Sequence, residues 1–275
     1  MRKLGLIAGG GALPVDLARH CRGEGRPLFV LRLTGFAESE LSAFDGVDLP
    51  LGQLGAAIGA LRGAGCKAVC LAGRVSRPDF RRLRPDLRGL AALPGALNAA
   101  RDGENGLLAY LLAEFEKEGF IVEGAHEVMA ALVLGPGPLG RRKPRRECQA
   151  DIAHALEAAR TVGRLDAGQG AVVCDGLILA LEAQEGTDAM LARVATLPVA
   201  IRGVPERRRG VLAKVCKPGQ ERRIDLPTIG PETVRRAATA GLQGIVGEAG
   251  LVLVVERDEV RVLADELGLF VIGAT

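Results

Sequence analysis

Short apolar runs alternate with amphipathic stretches along the first half of the chain. Apolar runs of strand length are typical of buried parallel strands, and apolar residues three and four positions apart are typical of helices packed on them. The predicted strands are Leu4–Ala8, Leu28–Leu33, Ala68–Ala72 and 120–122, and the predicted helices are 13–23, Leu54–Gly63 and 105–118. This alternation predicts a parallel sheet with crossover helices.

The apolar pattern stops at residues 134–140, where Pro and Gly take over and the longest basic run follows. Such a stretch is typical of a linker. We therefore expect domains at 1–134 and 147–275, joined by a linker at 135–146. The second half is again mixed α/β, with strands at Gly170–Cys174, Leu177–Leu181, 211–215, 244–246, 251–255 and 269–272, and helices at 152–162, from 187, at 231–240 and at 258–267.

The composition is that of a soluble globular protein. Hydrophobic residues make up 48% of the chain, aromatic residues only 3%, and the core must be Leu, Val, Ile and Ala. A net charge of +3 is too small to indicate nucleic acid, and few aromatics are available for base stacking. Basic clusters at 81–84, 141–146 and 207–209 are typical of solvated faces or linkers; the alternative is a docking surface for anionic phosphate or lipid headgroups.

The six cysteines form no C-x-x-C pair and lie mostly in apolar runs. This predicts reduced, buried thiols of a cytoplasmic protein, with neither disulfides nor a zinc site. The N-terminal apolar run is too short for a signal peptide, and no run reaches the roughly 18 residues of a membrane span.

A glycine-rich loop, Gly9-Gly10-Gly11-Ala12, follows the first strand and opens a helix. Backbone N–H groups at such a helix start bind anions, and phosphate is the natural ligand. The dinucleotide fingerprint fails at its third glycine, where Pro14 stands, and the second strand has no acidic ribose ligand, which argues against an NAD enzyme. The alternative is a tight turn with Pro14 near the first helical position, although a turn alone does not require three glycines.

A second loop, Gly73-Arg74-Val75-Ser76-Arg77-Pro78, follows another predicted strand. Open α/β sheets bind ligands at the carboxyl ends of their strands, and two arginines there could clamp a diphosphate. The alternative is a pair of ordinary surface arginines. His126 lies in a segment with two carboxylates after a strand, which suits a metal or a general base; the alternative is a hydrogen-bonded residue at a helix start.

The second half places polar residues at the ends of predicted elements: Gln169, Gly170, Glu185, Thr187, Asp188, Lys214 and Gln220. They supply oxygen ligands, cations and amides, but no Ser or Cys nucleophile with a base beside it. This inventory argues against covalent acyl chemistry. For Thr187 the alternative is a helix N-cap.

Asp225 stands in the segment 217–230, after charged and amide side chains and before Pro227 and Gly230. An element ends there and side chains converge, which suits chemistry on a charged substrate. The alternative is a carboxylate that accepts hydrogen bonds in a turn or caps the helix near Pro231.

These motifs together resemble one family, the bacterial UDP-2,3-diacylglucosamine pyrophosphatases of lipid A synthesis that are distinct from the metallophosphoesterase type. The resemblance runs in order along nearly the whole chain, through the glycine loop, Gly73-Arg74-Val75-Ser76-Arg77-Pro78, Gly168-Gln169-Gly170, Asp225-Leu226-Pro227-Thr228-Ile229-Gly230 and Gly247-Glu248-Ala249-Gly250.

The resemblance implies magnesium-dependent cleavage of the diphosphate of UDP-2,3-diacylglucosamine, with attack at the sugar-side phosphorus. It also implies a Rossmann-like first domain, a second α/β domain that is catalytic, and substrate held between them. The family's critical aspartate falls on Asp225, which with Glu185 and Asp188 is expected to hold Mg²⁺ or orient water. The expected substrate-binding residues are Gly10, Gly11, Ala12, Arg74, Val75, Arg77, Gln169, Gly170, Thr187, Lys214 and Gln220.

Further expectations concern partners. We expect a cytoplasmic protein in peripheral contact with the anionic inner membrane, a homodimer, and no nucleic-acid partner. Two alternatives stay open: a hydrolase of another nucleoside-diphosphate compound, and a non-catalytic protein that binds nucleotide sugars or lipid.

Overall fold

The structure is a computed structural model that describes residues 1–75 and 83–275, without the side chains of residues 102–105. The chain divides into two compact units. Unit 1 comprises Met1–Ala130 together with Glu221–Asp225, and unit 2 comprises Ala131–Gln220 and Leu226–Thr275. A short piece of the second half of the chain, ending at Asp225, therefore belongs to the unit built by the first half.

The described part of unit 1 contains a five-stranded parallel sheet in the order β3-β2-β1-β4-β5. The elements are β1 (Leu4–Ala8), α1 (Ala12–Gly23), β2 (Leu28–Leu33), β3 (Gly46–Leu49), α2 (Leu54–Gly63), β4 (Ala68–Ala72), α3 (Leu87–Ala99), α4 (Gly103–Lys117), β5 (Ile121–Val122) and α5 (Ala125–Val128). This is the strand order of the doubly wound fold. The predicted α/β class with a Rossmann-like first domain is confirmed.

Helices cover the central strands of this sheet. Ile7 of β1 and Val69 of β4 pack in one apolar cluster with Leu61 of α2 and Phe115 of α4. The carboxyl ends of parallel strands share one edge of a sheet, so the loops after β1 and β4 lie side by side. That edge presents the glycine loop.

Strand β3, helix α3 and the short helix α5 of unit 1 are absent from the sequence prediction. Strand β3 has only four residues, and one of them, Asp48, is charged, so the segment does not read as an apolar run. Asp48 forms an ion pair with Arg32 of β2 at 3.0 Å. Helix α3 contains Pro94, a residue that normally interrupts helices. Its first turn is stabilised by Asp86, whose carboxylate accepts a hydrogen bond from the Gly89 N–H at 2.7 Å.

The described part of unit 2 contains a six-stranded mixed sheet in the order β6-β13-β11-β9-β7-β8 and a small parallel pair, β10-β12. The elements are β6 (Gly137–Pro138), α6 (Gln149–Arg164), β7 (Gly170–Cys174), β8 (Leu177–Leu181), α7 (Gly186–Ala195), β9 (Val211–Lys214), β10 (Thr228–Ile229), α8 (Pro231–Thr239), β11 (Gly244–Glu248), β12 (Leu253–Val254), α9 (Arg257–Leu267) and β13 (Phe270–Ala274). Strands β9, β11 and β13 are parallel, and β6, β7 and β8 are antiparallel to their neighbours.

The sheet of unit 2 is covered on both faces. Val173 and Val211 pack with Ala155 of α6 on one face. Val172 and Leu212, one residue along each strand, pack with α7, α8 and α9 on the other. This alternation follows from the two-residue period of a strand and explains why β7 and β9 read as continuous apolar runs.

The segment 135–146, which the sequence presents as a linker, is built into unit 2. It contains β6, which pairs with β13. The backbone N–H and the Nε of Arg141 also donate to the buried carboxylate of Asp265, at 2.7 and 3.1 Å. The division between the units falls at Ala130 and Ala131.

Most of the cysteines are buried, as the sequence predicted. None of the six cysteines, all in the described residues, forms a disulfide, and five are buried. Burial raises the pKa of Cys70 to about 12, which makes its thiol inert near neutral pH. Among the residues that the structure describes, no helix is long and apolar enough to cross a bilayer.

Candidate functional site

The glycine loop after β1 is joined to the loop after β4 by the backbone. The Gly10 N–H donates to the Arg74 carbonyl at 2.9 Å, and the Arg74 N–H donates back to the Gly10 carbonyl at 2.8 Å. The Gly9 N–H also donates to the Ala72 carbonyl, at 2.8 Å. Two predicted substrate-binding segments, Gly10 to Ala12 and Arg74 with Val75, are therefore neighbours; the predicted Arg77 lies outside the described residues.

The close approach of these loops explains the glycines. A Cβ on Gly9 would lie 2.7 Å from the Arg74 carbonyl oxygen, and one on Gly10 would lie 2.9 Å from that of Phe36. Gly73 has φ +94°, and a Cβ there would lie 2.7 Å from Cγ of Pro14. Packing thus requires glycine at three positions, whether or not the loop also binds phosphate.

The start of α1 already holds a carboxylate. The Gly11 N–H donates to Oε1 of Glu38 at 2.8 Å, and the first turn of α1 has no acidic residue of its own. An anion at this position is favoured by the backbone N–H groups and by the helix dipole. The exposed Glu38 carboxylate stands in the place that a phosphate would take. Sequence reasoning missed Glu38, because no pattern links it to Gly11 across 27 positions.

Asp225 lies at the end of a turn anchored on unit 1. Its N–H donates to the Glu221 carbonyl at 3.1 Å, and Ile224 packs against the apolar cluster of the parallel sheet. Arg223 bonds to Glu221 at 2.7 Å and to Glu116 of α4 at 2.6 Å. The bond from Arg223 lowers the pKa of Glu221 and, with the Glu116 bond, raises the pKa of Arg223. Asp225 is only partly buried, so water and ligands reach it.

Gly230, not Asp225, caps α8. It is the N-cap of that helix, and its N–H donates to Oγ1 of Thr233 at 3.3 Å. At α5 the N-terminal N–H of Gly124 donates to Glu127 at 2.6 Å. His126 lies in the first turn of α5, and its buried Nδ1 forms no hydrogen bond with any described residue.

Three predicted substrate-binding residues of unit 2 come together around one that was not predicted, Glu182. We call Gly170, Glu182, Thr187 and Lys214 the Lys214 cluster. The predicted Gln169 precedes Gly170, and its carbonyl accepts from the Val215 N–H at 2.9 Å. Nζ of Lys214 donates to Oγ1 of Thr187 at 2.5 Å, and Oγ1 donates to Oε1 of Glu182 at 2.9 Å. Nζ also lies 3.6 Å from Oε2 of Glu182, with the two side chains only 3% and 6% exposed.

The alternative role of Thr187, as the N-cap of α7, is wrong. The helix begins at Gly186 with Glu185 as its N-cap, and the Thr187 hydroxyl is turned to Glu182. Glu182 directly follows β8, and Lys214 ends β9. Strands β8 and β9 flank β7, which begins at Gly170, so the ends of three adjacent strands build the cluster.

Gln220 shapes the turn that precedes Glu221. Its side-chain Oε1 accepts from the Lys217 N–H at 2.9 Å and from Sγ of Cys216 at 3.4 Å. The side chain is buried, so its carbonyl supports the turn.

Two of the three predicted metal ligands lie beside arginines of unit 2. Glu185 is bonded to Arg193 at 2.8 Å, and hydrogen bonds from its own backbone N–H and from Arg193 lower its pKa. Asp188 lies 3.7 Å from Nε of Arg236, and both residues belong to unit 2, whereas Asp225 belongs to unit 1. The described residues contain no group of three or more His, Cys, Asp or Glu that could hold a metal.

Magnesium does not require such a group. It is usually held by one or two carboxylates together with substrate phosphates and water. A partly exposed aspartate such as Asp225 supplies the oxygen ligand that this kind of site needs. Glu185 fits less well, since Arg193 already binds its carboxylate.

One basic cluster is part of the fold of unit 2. Arg208 donates to the Ala238 carbonyl at 2.7 Å, and burial lowers the pKa of its guanidinium. Arg209 forms an ion pair with Asp175 at 2.5 Å. These guanidiniums hold loops of unit 2 together, whereas the basic run at 141–146 is mostly exposed.

Comparison with known proteins covers nearly the whole chain. The family model described as the LpxI N-terminal domain matches residues 3–132, and that of the LpxI C-terminal domain matches residues 135–272. A protein of Caulobacter vibrioides named UDP-2,3-diacylglucosamine pyrophosphatase LpxI is 62% identical over 273 residues, which are 99% of this chain and 98% of that protein.

Proposed function

Because the chain belongs to the LpxI family, whose two domains it contains in order, we propose that it hydrolyses UDP-2,3-diacylglucosamine to UMP and 2,3-diacylglucosamine 1-phosphate in lipid A biosynthesis. The observation that carries the proposal is the match of both halves of the chain to one enzyme family. The chemistry of the described residues supports it, since they offer cations and a carboxylate for a diphosphate and no acyl-transfer nucleophile.

The roles of the residues follow from charge. The diphosphate is anionic, so the ammonium of Lys214 and the exposed guanidinium of Arg74 favour its binding. The Asp225 carboxylate can orient a water molecule against phosphorus. Backbone N–H groups at the start of α1 suit a phosphate oxygen once Glu38 leaves.

Magnesium dependence is part of the proposal. Asp225 would hold the ion together with oxygens of the substrate diphosphate. When bound, Mg²⁺ would supply positive charge that stabilises the charge developing on the phosphoryl oxygens and on the leaving phosphate.

Mass spectrometry tests the reaction directly. The purified chain is incubated with UDP-2,3-diacylglucosamine, with Mg²⁺ and with EDTA, and UMP and the lipid phosphate are expected only with Mg²⁺. UDP-N-acetylglucosamine, which lacks the acyl chains, serves as the control substrate. Turnover of both compounds would favour a general nucleotide-sugar hydrolase, and binding without turnover would favour a non-catalytic protein. In ¹⁸O-water, label in UMP would contradict attack at the sugar-side phosphorus.

We also propose peripheral contact with the anionic inner membrane from the cytoplasmic side. Two features support it: the exposed basic run at 141–146, and an exposed apolar face of α3 formed by Leu87, Leu90 and Leu97. Apolar helix faces of this kind lie in the headgroup region of bilayers, and cationic side chains add attraction to anionic lipid. Liposome sedimentation should show salt-sensitive binding to anionic vesicles that Leu90→Glu weakens. Equal binding to neutral and to anionic vesicles would contradict a role for the basic run at 141–146.

The homodimer is proposed at the edge strand β8. Its side chains Leu177, Ile178 and Leu181 are 52%, 46% and 41% exposed, and an edge strand can pair with its own copy around a twofold axis. Light scattering should give a dimer for the wild type and a monomer for Ile178→Lys. A monomeric wild type would contradict this arrangement.

A further inference from the structure

We propose that Glu182 is a positioning residue for this reaction: its carboxylate holds the Lys214 ammonium and the Thr187 hydroxyl in the arrangement that receives the anionic substrate. The inference rests on the proposed function, because Lys214 and Thr187 are its expected substrate contacts. No sequence motif points to Glu182; only the folded chain brings it to the cluster.

Hydrogen bonds in the Lys214 cluster run in one direction. The Thr187 hydroxyl has a single proton, which it donates to Oε1 of Glu182, so its lone pairs are left to accept from Nζ of Lys214. An ammonium group has three donors and can therefore contact Thr187 and a phosphate oxygen at the same time. Glu182 thus fixes the hydroxyl, the hydroxyl fixes the ammonium, and the carboxylate charge balances the buried cation.

The fold makes room for Glu182. Gly170 faces Lys214 across β7 and β9, and a Cβ on Gly170 would lie 2.4 Å from Oε2 of Glu182. A Cβ on Gly168 would lie 2.2 Å from the Glu182 carbonyl oxygen. Two glycines in the Gly168-Gln169-Gly170 motif are therefore explained by the space that Glu182 occupies.

A purely structural role fits the cluster poorly. Oε2 of Glu182 is buried and forms no hydrogen bond with any described residue, with Nζ of Lys214 3.6 Å away. Buried acceptors without donors destabilise a fold, and apolar residues of similar volume commonly replace a buried ion pair without loss of stability. A ligand hydroxyl or a water molecule that donates to Oε2 would complete the site, while a phosphate oxygen would accept from Lys214.

A double-mutant cycle on kcat/KM and melting temperature tests the proposal. Glu182→Gln should lower kcat/KM about ten-fold and Lys214→Met about a hundred-fold, the range expected for charged hydrogen bonds. The double variant should match Lys214→Met in kcat/KM, because Glu182 acts through Lys214. Its melting temperature should recover relative to both single variants, because neither buried charge is left alone.

Other variants separate positioning from stability. Asp151→Asn is the matched control, since this buried carboxylate accepts from the N–H groups of Asp175 and Gly176 at 2.9 and 2.8 Å away from the cluster. It should lower the melting temperature and leave kcat/KM unchanged. Glu182→Asp keeps the charge but shortens its reach, so it should fold and still lose activity.

Three results would overturn the proposal: single losses that multiply in the double variant, activity that recovers together with melting temperature, or a wild-type rate in Glu182→Asp. Failure of the proposed function is distinguishable, because the wild-type protein itself would then leave UDP-2,3-diacylglucosamine intact.

Discussion

Nη1 of Arg223 donates to Oε1 of Glu116 across 2.6 Å, which ties the turn carrying Asp225 to helix α4. The same guanidinium bonds to Glu221 at 2.7 Å, so one side chain joins the turn to the helix. The placement of Asp225 therefore depends on a residue far away in the sequence. Removing the ion pair between Arg223 and Glu116 tests whether hydrolysis requires this turn to be held against α4.

Glu116→Gln should loosen the turn without unfolding the protein. Both partners are partly exposed, with side chains 31% and 45% accessible, so the loss of folding free energy should be at most about 1 kcal/mol. Hydrolysis should fall roughly ten-fold, because small displacements of a reacting group are costly to rate. Hydrogen-exchange mass spectrometry should show faster exchange at residues 221–225.

The control for this prediction is Glu259→Gln in unit 2. It removes an ion pair with Arg235 of similar length, 2.7 Å, and similar exposure. Rate and exchange at 221–225 should stay at wild-type values. If Glu116→Gln behaved like this control, the Arg223 anchor would have no functional role.

Asp225→Asn should abolish most of the hydrolysis while the protein stays folded. The substitution keeps the shape of the side chain but removes the charge needed to hold a cation or accept a proton, and a loss of about a hundred-fold or more in kcat is expected. Asp258→Asn, at a residue whose side chain is 96% exposed, should leave kcat unchanged. A wild-type rate in Asp225→Asn, measured by UMP release, would remove Asp225 from the mechanism.

The sequence predicted most of the sheet strands because their apolar runs are long enough to stand out, as in Leu4–Ala8 and Ala68–Ala72. The sequence pattern did not predict α3, because Pro94 interrupts it and few residues of this helix are buried. In the candidate site, residues at strand ends could be predicted from the topology of a parallel sheet. Glu38, Glu116 and Glu182 could not, because each meets its partner only through tertiary folding and has no spacing rule.

Gly73→Ala should destabilise unit 1 strongly. Gly73 has φ +94°, and the added Cβ would press on Pro14 at 2.7 Å and on the Gly10 carbonyl oxygen at 2.8 Å. A loss of about 3 kcal/mol or more is expected, from backbone strain and from separation of the two loops.

Gly25→Ala is the matched control for this prediction. Gly25 also has a positive φ, +65°, but a Cβ there would meet no atom within 4 Å. This variant should lose only the roughly 1 kcal/mol of folding free energy that backbone strain costs. Equal melting temperatures of the two variants would show that the contact between the glycine loop and the loop after β4 contributes nothing.

The contribution of Asp86 to stability should depend on pH. Burial opposes ionisation of its carboxylate, but the N–H groups of Gly89 and Ala56, at 2.7 and 2.8 Å, outweigh it and hold the pKa below its ordinary value. A carboxyl group whose pKa is depressed by folding stabilises the protein above the unfolded pKa of about 3.9 and loses that effect as the pH falls through the folded pKa. The stabilisation should therefore be complete near neutral pH and decline progressively as the pH falls below about 4.

Asp86→Asn isolates this effect. Asn keeps one acceptor oxygen and can still cap α3, but it cannot serve both Gly89 and Ala56, so the variant should lose about 1 to 2 kcal/mol at pH 7. A protonated Asp86 resembles Asn in this respect, so the difference in melting temperature between wild type and variant should shrink as the pH falls below about 4. Asp45→Asn, at a side chain 74% exposed and 4.0 Å from Lys3, should show no such pH dependence. If the difference in melting temperature between wild type and Asp86→Asn stayed constant down to acid pH, the hydrogen bonds from Ala56 of α2 and Gly89 of α3 would not require the charge of Asp86.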